Sequence, residues 1–347
     1  MYIKFYNILY KSLKTLMLIF FLNKLRKLLK SIGKLELVII EKLTFLESRI
    51  NDFRLNDKYF KSFDTNYTKK NLFPKKLIIV ICFFYNKKKI ENLKKTLKEI
   101  SSYRFKKSLT IITNTLENSH RKELNKILKS KINNYKILEI KGLPDYNLLP
   151  WYSLNVMRQN FKQKNNSHFM YLEDDILISD KNIFYWIYFR NILKKFKLVP
   201  GFLRYEKNKN VIFSVDNPKK IKISKNPHIW SLNKKFGFIN SKYPYHAMYL
   251  MDRELMKNYL NSNAVKFDFA FHNKSFKSLY PIKEQLNISY AYIDVPKGFH
   301  NRLVIPFNDK KEILDYCLIK HNDLKYSKSN KLNKLGYGTI KVKNLLI

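Results

Sequence analysis

Between residues 77 and 178, apolar runs alternate with stripes of helical period. Leu77-Ile-Ile-Val-Ile-Cys-Phe-Phe-Tyr85 is continuous and rich in β-branched residues, which predicts a strand buried on both faces, and it stops at Asn86. Ile90, Leu93, Leu97 and Ile100 then recur at the spacing of an amphipathic helix. Leu109-Thr-Ile-Ile-Thr113, closed by Asn114, predicts a second strand, and Leu124, Ile127, Leu128 and Ile132 mark a second helix. Residues 135–140 predict a third strand, 151–161 a third helix and 168–172 a fourth strand. This alternation predicts an α/β domain with a mostly parallel sheet flanked by helices.

In such sheets ligands gather outside the carboxyl ends of the strands. Tyr85-Asn86, Asn114 and Glu173-Asp174-Asp175 all fall at those ends. Three consecutive carboxylates repel one another, so two readings stand: a solvated acidic turn, or a site for a hard divalent cation shared with phosphate oxygens. No Gly-x-Gly-x-x-Gly follows the first strand and no Gly-Lys-Ser/Thr occurs, which argues against dinucleotide and P-loop binding.

Composition changes this picture little. The 347 residues include 45% hydrophobic and 15% aromatic side chains, enough for a large core. The net charge of +41 comes from 68 basic and 27 acidic residues, yet the bases are overwhelmingly Lys, and Arg is the better fork for phosphate and guanine. Specific nucleic-acid binding is therefore not expected, whereas attraction to anionic surfaces or phosphorylated ligands is. Cys82 and Cys317 make neither a disulfide framework nor a zinc pattern, which favours a reducing, cytoplasmic setting.

Residues 1–73 read as a basic helical extension. Its apolar run Leu16-Met-Leu-Ile-Phe-Phe-Leu22, bounded by lysines 11, 14 and 24, falls short of the roughly 20 residues needed to span a bilayer, and no signal-peptide cleavage site follows. Residues 8–31 suit either a peripheral contact with the inner face of an anionic membrane or a helix packed on its own domain or a partner. Residues 74–325 form the expected main domain and 326–347 a C-terminal tail.

A buried strand ending in Tyr85-Asn86 and, after residues 87–167, an apolar strand ending in Glu173-Asp174-Asp175 resemble the GT-A fold of nucleotide-sugar glycosyltransferases, in a family-2-like arrangement over about residues 74–325. The Asp-x-Asp signature of that fold holds a metal, and Glu-Asp-Asp is a variant several such families carry. The resemblance implies Mn²⁺ or Mg²⁺, with Asp175 as ligand, Glu173 on metal or ribose, and Asp174 supporting them. It implies a UDP- or GDP-type nucleotide sugar held near Tyr85, Asn86 and Asn114, although family-2 enzymes often place Asp where this chain has Asn114. It also implies a glycan or lipid-linked acceptor, and a carboxylate base for which Glu284 ranks first and Asp268 second. Asp252 reads instead as the N-cap of a helix. A downstream His would complete the metal site, His321 before His300, while Arg302 and Lys320 would neutralise the departing diphosphate. The segments 200–206 and 242–252 combine apolar, aromatic and polar residues that suit either sugar stacking or the core. Two alternatives remain open: a nucleotidyltransferase of related topology, and a non-catalytic basic protein binding nucleic acid or membrane.

Overall fold

The computed structural model describes residues 17–18, 20–22, 24–25, 55–67, 73–143, 146–196, 198–226, 228–240, 248–262, 265–266 and 303–347. Glu284, Asp268, His300 and Arg302 lie outside the described residues.

The predicted alternation is present. Strands β1 (Leu77–Cys82), β2 (Lys107–Asn114), β3 (Tyr135–Ile140) and β4 (His168–Glu173) alternate with helices α3 (Ile90–Ser101), α4 (Asn118–Lys129) and α5 (Ser153–Phe161), which follow the short N-terminal helices α1 (Lys58–Lys61) and α2 (Phe63–Tyr67). The sheet runs β11-β4-β1-β2-β3, where β11 is Met248–Asp252. Pairing is parallel from β4 through β3, and β11 alone runs antiparallel, against β4. Every residue of β1 is buried, as its unbroken apolar run requires of a central strand, while the edge strand β3 alternates between partly exposed and exposed positions until Ile140. Chain reversals at the carboxyl ends keep register: Cys82 pairs with both Ile112 and Glu173, so the ends of β1, β2 and β4 form one rim.

After β4 a two-residue turn leads to β5 (Ile176–Leu177) and the long helix α6 (Asp180–Leu193). Ser179 caps α6 in a reciprocal box with Asn182, the arrangement its Ser-x-x-Asn sequence allows. Two smaller sheets complete the body. One runs β6-β12-β10-β9, from Val199–Pro200, Leu303–Asn308, Phe236–Asn240 and His228–Trp230. The other runs β5-β13-β7-β8, with β13 Leu318–His321, β7 Leu203–Asn208 and β8 Val211–Ser214. Helix α7 (Arg253–Leu260) follows β11, and Asp252 caps it by accepting from the Leu255 amide at 2.8 Å, as the sequence predicts.

Packing continues across both boundaries drawn from composition. Within the basic extension, Phe60 stacks on Phe236 (4.8 Å), Phe63 packs at a tilt on Tyr316 (4.4 Å), and both lie in the core. In the C-terminal segment Leu345 and Leu346 are buried, Lys341 bridges to Phe213, Leu346 bridges to Ile221, and α8 (Asn330–Lys334) precedes them. No helix among the described residues is long and apolar enough to cross a membrane.

Candidate functional site

Glu173, Asp174 and Asp175 sit where β4 leaves the central sheet and turns into β5. The turn is fastened from two sides. The Thr96 hydroxyl of α3 donates to the Asp174 carbonyl at 2.8 Å, and the Asn322 amide donates to the Asp175 carbonyl at 2.8 Å. Backbone anchors of this kind fix the acids without using their carboxylates. Asp174 is buried and Asp175 nearly so, yet Asp174 Oδ2 and Asp175 Oδ1 accept no hydrogen bond from any described residue. A buried carboxylate oxygen without a donor is costly, so its place in a folded chain calls for a cation or a proton.

β13 brings His321 to these acids. Antiparallel pairing with β5 sets His321 opposite Ile176, and its Nε2 lies 3.4 Å from Asp175 Oδ2. The other ring nitrogen, Nδ1, lies 2.7 Å from Glu206 Oε1. Glu206 projects from β7 and is completely buried, with its oxygens also accepting from the Tyr326 amide at 3.0 Å and the Ser327 amide at 2.6 Å. Beside this chain Arg204 forks onto Asp216, with Nη2 2.6 Å from Oδ1, and its guanidinium lies over the Tyr326 ring.

The electrostatics follow from these contacts. Burial alone would push His321 down, but the hydrogen bonds to Asp175 and Glu206 outweigh it and raise the imidazole to about 9. Burial alone would raise Glu206, but His321 and the two backbone amides hold it below the ordinary carboxylate range. Asp174 is pushed up, chiefly by burial and then by its neighbour Asp175, while Asp175 is brought down against its burial by His321 and, further off, by Arg204 and Lys89. With Nδ1 turned to Glu206, Nε2 and Asp175 face each other across a gap that must hold positive charge. A proton on the ring meets that need, and so does a cation between the two groups.

Carboxylate oxygens and an imidazole are the donor set for Mn²⁺ or Mg²⁺, and such ions are commonly held by one or two carboxylates together with substrate phosphates. The residues present fit such an ion in that sense: two partnerless carboxylate oxygens and one imidazole, oriented by a buried carboxylate behind it. Among the described residues no three His, Cys, Asp or Glu side chains by themselves make a complete metal-holding group.

The other expected site residues have intramolecular tasks. Asn114 Oδ1 accepts from the Tyr85 amide at 2.7 Å, which ties the ends of β1 and β2 together. The buried Tyr85 donates its hydroxyl to Glu123 at 2.7 Å and stacks on His120 at 4.3 Å. Asn86 accepts from the Lys88 amide at 2.9 Å and so caps the short turn of Lys87–Lys89. Lys320 neighbours His321 in β13, so strand alternation sends it to the opposite face. There it lines a cleft of about 310 Å³ with Leu177, Lys181, Tyr205 and Asp315, a lining that contains none of the three acids. Among the described residues, the positive charges that act on the acids besides His321 come from Lys89 and Arg204.

Glu206, Arg204, Asp216 and Lys89 were not nominated from the sequence. The signal for the first two was there: Leu203-Arg-Tyr-Glu206 places two opposite charges two residues apart in a strand, hence on one face. Lys89 had no signal, being one of three consecutive lysines.

No known family's profile matches this chain, and no curated protein sequence matches it. Two solved structures of S. aureus TarS are similar to it. One, of residues 1–349, has a TM-score of 0.35 and 11% identity over 72% of this chain and 58% of that one. The other has a TM-score of 0.31 and 11% identity over 53% of this chain and 29% of that one. The chain spans less than two thirds of either structure, and a likeness of this degree carries no argument about activity.

Proposed function

We propose that this chain is a metal-dependent glycosyltransferase that moves a sugar from a UDP- or GDP-type nucleotide donor to an acceptor hydroxyl on a glycan or a lipid-linked glycan. One observation carries the reading: the buried, partnerless oxygens of Asp174 and Asp175 at the carboxyl end of β4, with His321 against the other oxygen of Asp175. Asp175 and His321 would hold Mn²⁺ or Mg²⁺, with Glu173 reaching the ion or the donor ribose and Asp174 backing them. When bound, the ion supplies positive charge to the departing diphosphate.

The chain's own residues would do the rest. Glu206 holds the imidazole in one orientation through Nδ1, so that Nε2 stays aimed at Asp175. Lys89 and Arg204 add fixed positive charge near a site that gains negative charge as the nucleotide leaves. In the transfer, the acceptor oxygen forms a bond to the anomeric carbon while the bond from that carbon to the diphosphate oxygen breaks. The acceptor proton passes to a carboxylate, for which Glu284 is the first nominee and Asp268 the second. Tyr85, Asn86 and Asn114 would border the nucleoside, and Arg302 would face the diphosphate.

Isothermal titration of UDP and of GDP into the full chain, with Mn²⁺ and with chelator, tests the reading. Binding that requires the ion and vanishes in Asp175→Ala is the expected outcome. No binding of either nucleotide with Mn²⁺ present would overturn it.

A further inference from the structure

Four large apolar side chains stand in water within five positions of the N-terminal segment. Met17 is 68% exposed, Leu18 43%, Phe20 64% and Phe21 60%, whereas Leu22 next to them is 5% exposed. The described residues here are helical, so the exposed positions lie on the outward arc and Leu22 on the inward one. Elsewhere among the described residues the exposed large apolar side chains, Phe84, Leu138, Leu232, Leu335 and Ile347, are scattered singly, which is ordinary for a protein surface. A contiguous cluster containing two phenylalanines is not ordinary and marks a contact surface.

The charge around the cluster selects the partner. Residues 1–35 contain lysines 4, 11, 14, 24, 27, 30 and 34 and Arg26, and no Asp or Glu. Lys24 places its ammonium 5.2 Å from the centroid of the Phe20 ring, so a cation borders the apolar cluster directly. Exposed apolar side chains bordered by Lys24, in a stretch of sequence that is basic and free of acids, complement the boundary between the acyl chains and the head groups of an anionic bilayer. A second copy of this chain would bring a second basic segment against the first, which repulsion disfavours. The apolar run 16–22 is too short to span and long enough to lie in the interface.

We infer that Met17, Leu18, Phe20 and Phe21 seat the protein on an anionic lipid surface by inserting into it, with Lys24 on the lipid head groups. The contact is reversible, and its strength falls as salt screens the lysines. It stands apart from the transfer reaction and holds whether or not the chain binds a nucleotide.

Flotation of the full chain with phosphatidylcholine vesicles, with and without phosphatidylglycerol, reads it directly. The wild-type chain is expected to float with the anionic vesicles only and to be released as salt rises from about 0.05 to about 0.5 M. Phe20→Ser/Phe21→Ser removes exposed side chains, leaves the core untouched and is expected to lower the bound fraction about tenfold. Lys24→Glu/Lys27→Glu is expected to do the same while sparing the apolar cluster. Failure of the wild type to float, or flotation of either double variant equal to that of the wild type, overturns the inference. So does sedimentation showing that the wild type dimerises without lipid while the phenylalanine variant is monomeric, since the occupant would then be a second copy.

Discussion

A histidine meets an aspartate at each end of β4, and the two ends have opposite character. At the amino end His168 lies opposite Asp252, whose carboxylate is fully engaged: it caps α7 and accepts from Arg190 at 2.8 Å. His168, packed edge-on against Trp186, is held neutral, and burial lowers it to about 4 despite the aspartate. At the carboxyl end Asp175 has an oxygen with no donor, and His321 between Asp175 and Glu206 is raised to about 9. The same two residue types therefore make a finished structural joint at one end and an electrostatically open one at the other. What separates them is whether the carboxylate's hydrogen-bonding capacity is used up by the fold.

The comparison breaks most visibly on exchange of the aspartates. Asp175→Ala is expected to abolish Mn²⁺-dependent nucleotide binding, a loss of at least about 100-fold by calorimetry, while His321 keeps its contact with Glu206. Asp252→Ala should leave nucleotide binding within about twofold and instead cost about 3 kcal/mol of unfolding free energy, from a lost helix cap and a buried Arg190 left with only its longer contact to Glu254. An Asp252→Ala protein that folds normally but cannot bind nucleotide would erase the distinction between the ends.

Glu206→Gln should have an intermediate effect. The amide keeps an oxygen for the ring or the backbone amides but loses the charge, and Mn²⁺ affinity is expected to fall about 10–100-fold with nucleotide held constant. The smallest effect belongs to His168. Its neutral form is favoured by folding, so its contribution to stability is complete above the ordinary histidine value of 6.5 and is lost as pH falls from there through about 4. NMR titration should find its ring midpoint near 4, and His168→Gln should flatten the acid limb of the stability profile.

The sheet could be read from the sequence wherever a strand carried its own signature. The β-branched run of β1 and the mixed apolar run of β4 define central strands whatever surrounds them, and the Ile90, Leu93, Leu97 and Ile100 stripe defines α3. β11 could not be placed, because Met248-Tyr-Leu-Met-Asp252 has the pattern of any buried strand and nothing local states that it inserts antiparallel beside β4. The site divides in the same way. The acids at the end of β4 were visible as an anomaly of charge after an apolar run. His321 was visible as the first of two downstream histidines that the resemblance offered, with nothing in the sequence to pair it with the acids. Its partner Glu206 lies 115 residues earlier, and that pairing is made by β7 and β13 lying parallel, a fact of tertiary structure. Asn114 shows the converse: a polar residue at a strand end looked available for a ligand, but its short side chain turns back onto a neighbouring backbone amide.

The long reach between the acids and their partners has a consequence in time. Asp175 is synthesised 146 positions before His321, and the Tyr326 and Ser327 amides that hold Glu206 come later still. At ribosomal speeds of about 5–20 residues per second, the acidic turn waits roughly 7–30 seconds for its imidazole. Through that interval β1 to β4 can already pair, with an anionic patch at the rim and no histidine to balance it. The nascent chain thus carries its three acids long before it carries their histidine, and a ribosome stalled before β13 would hold those acids still bare.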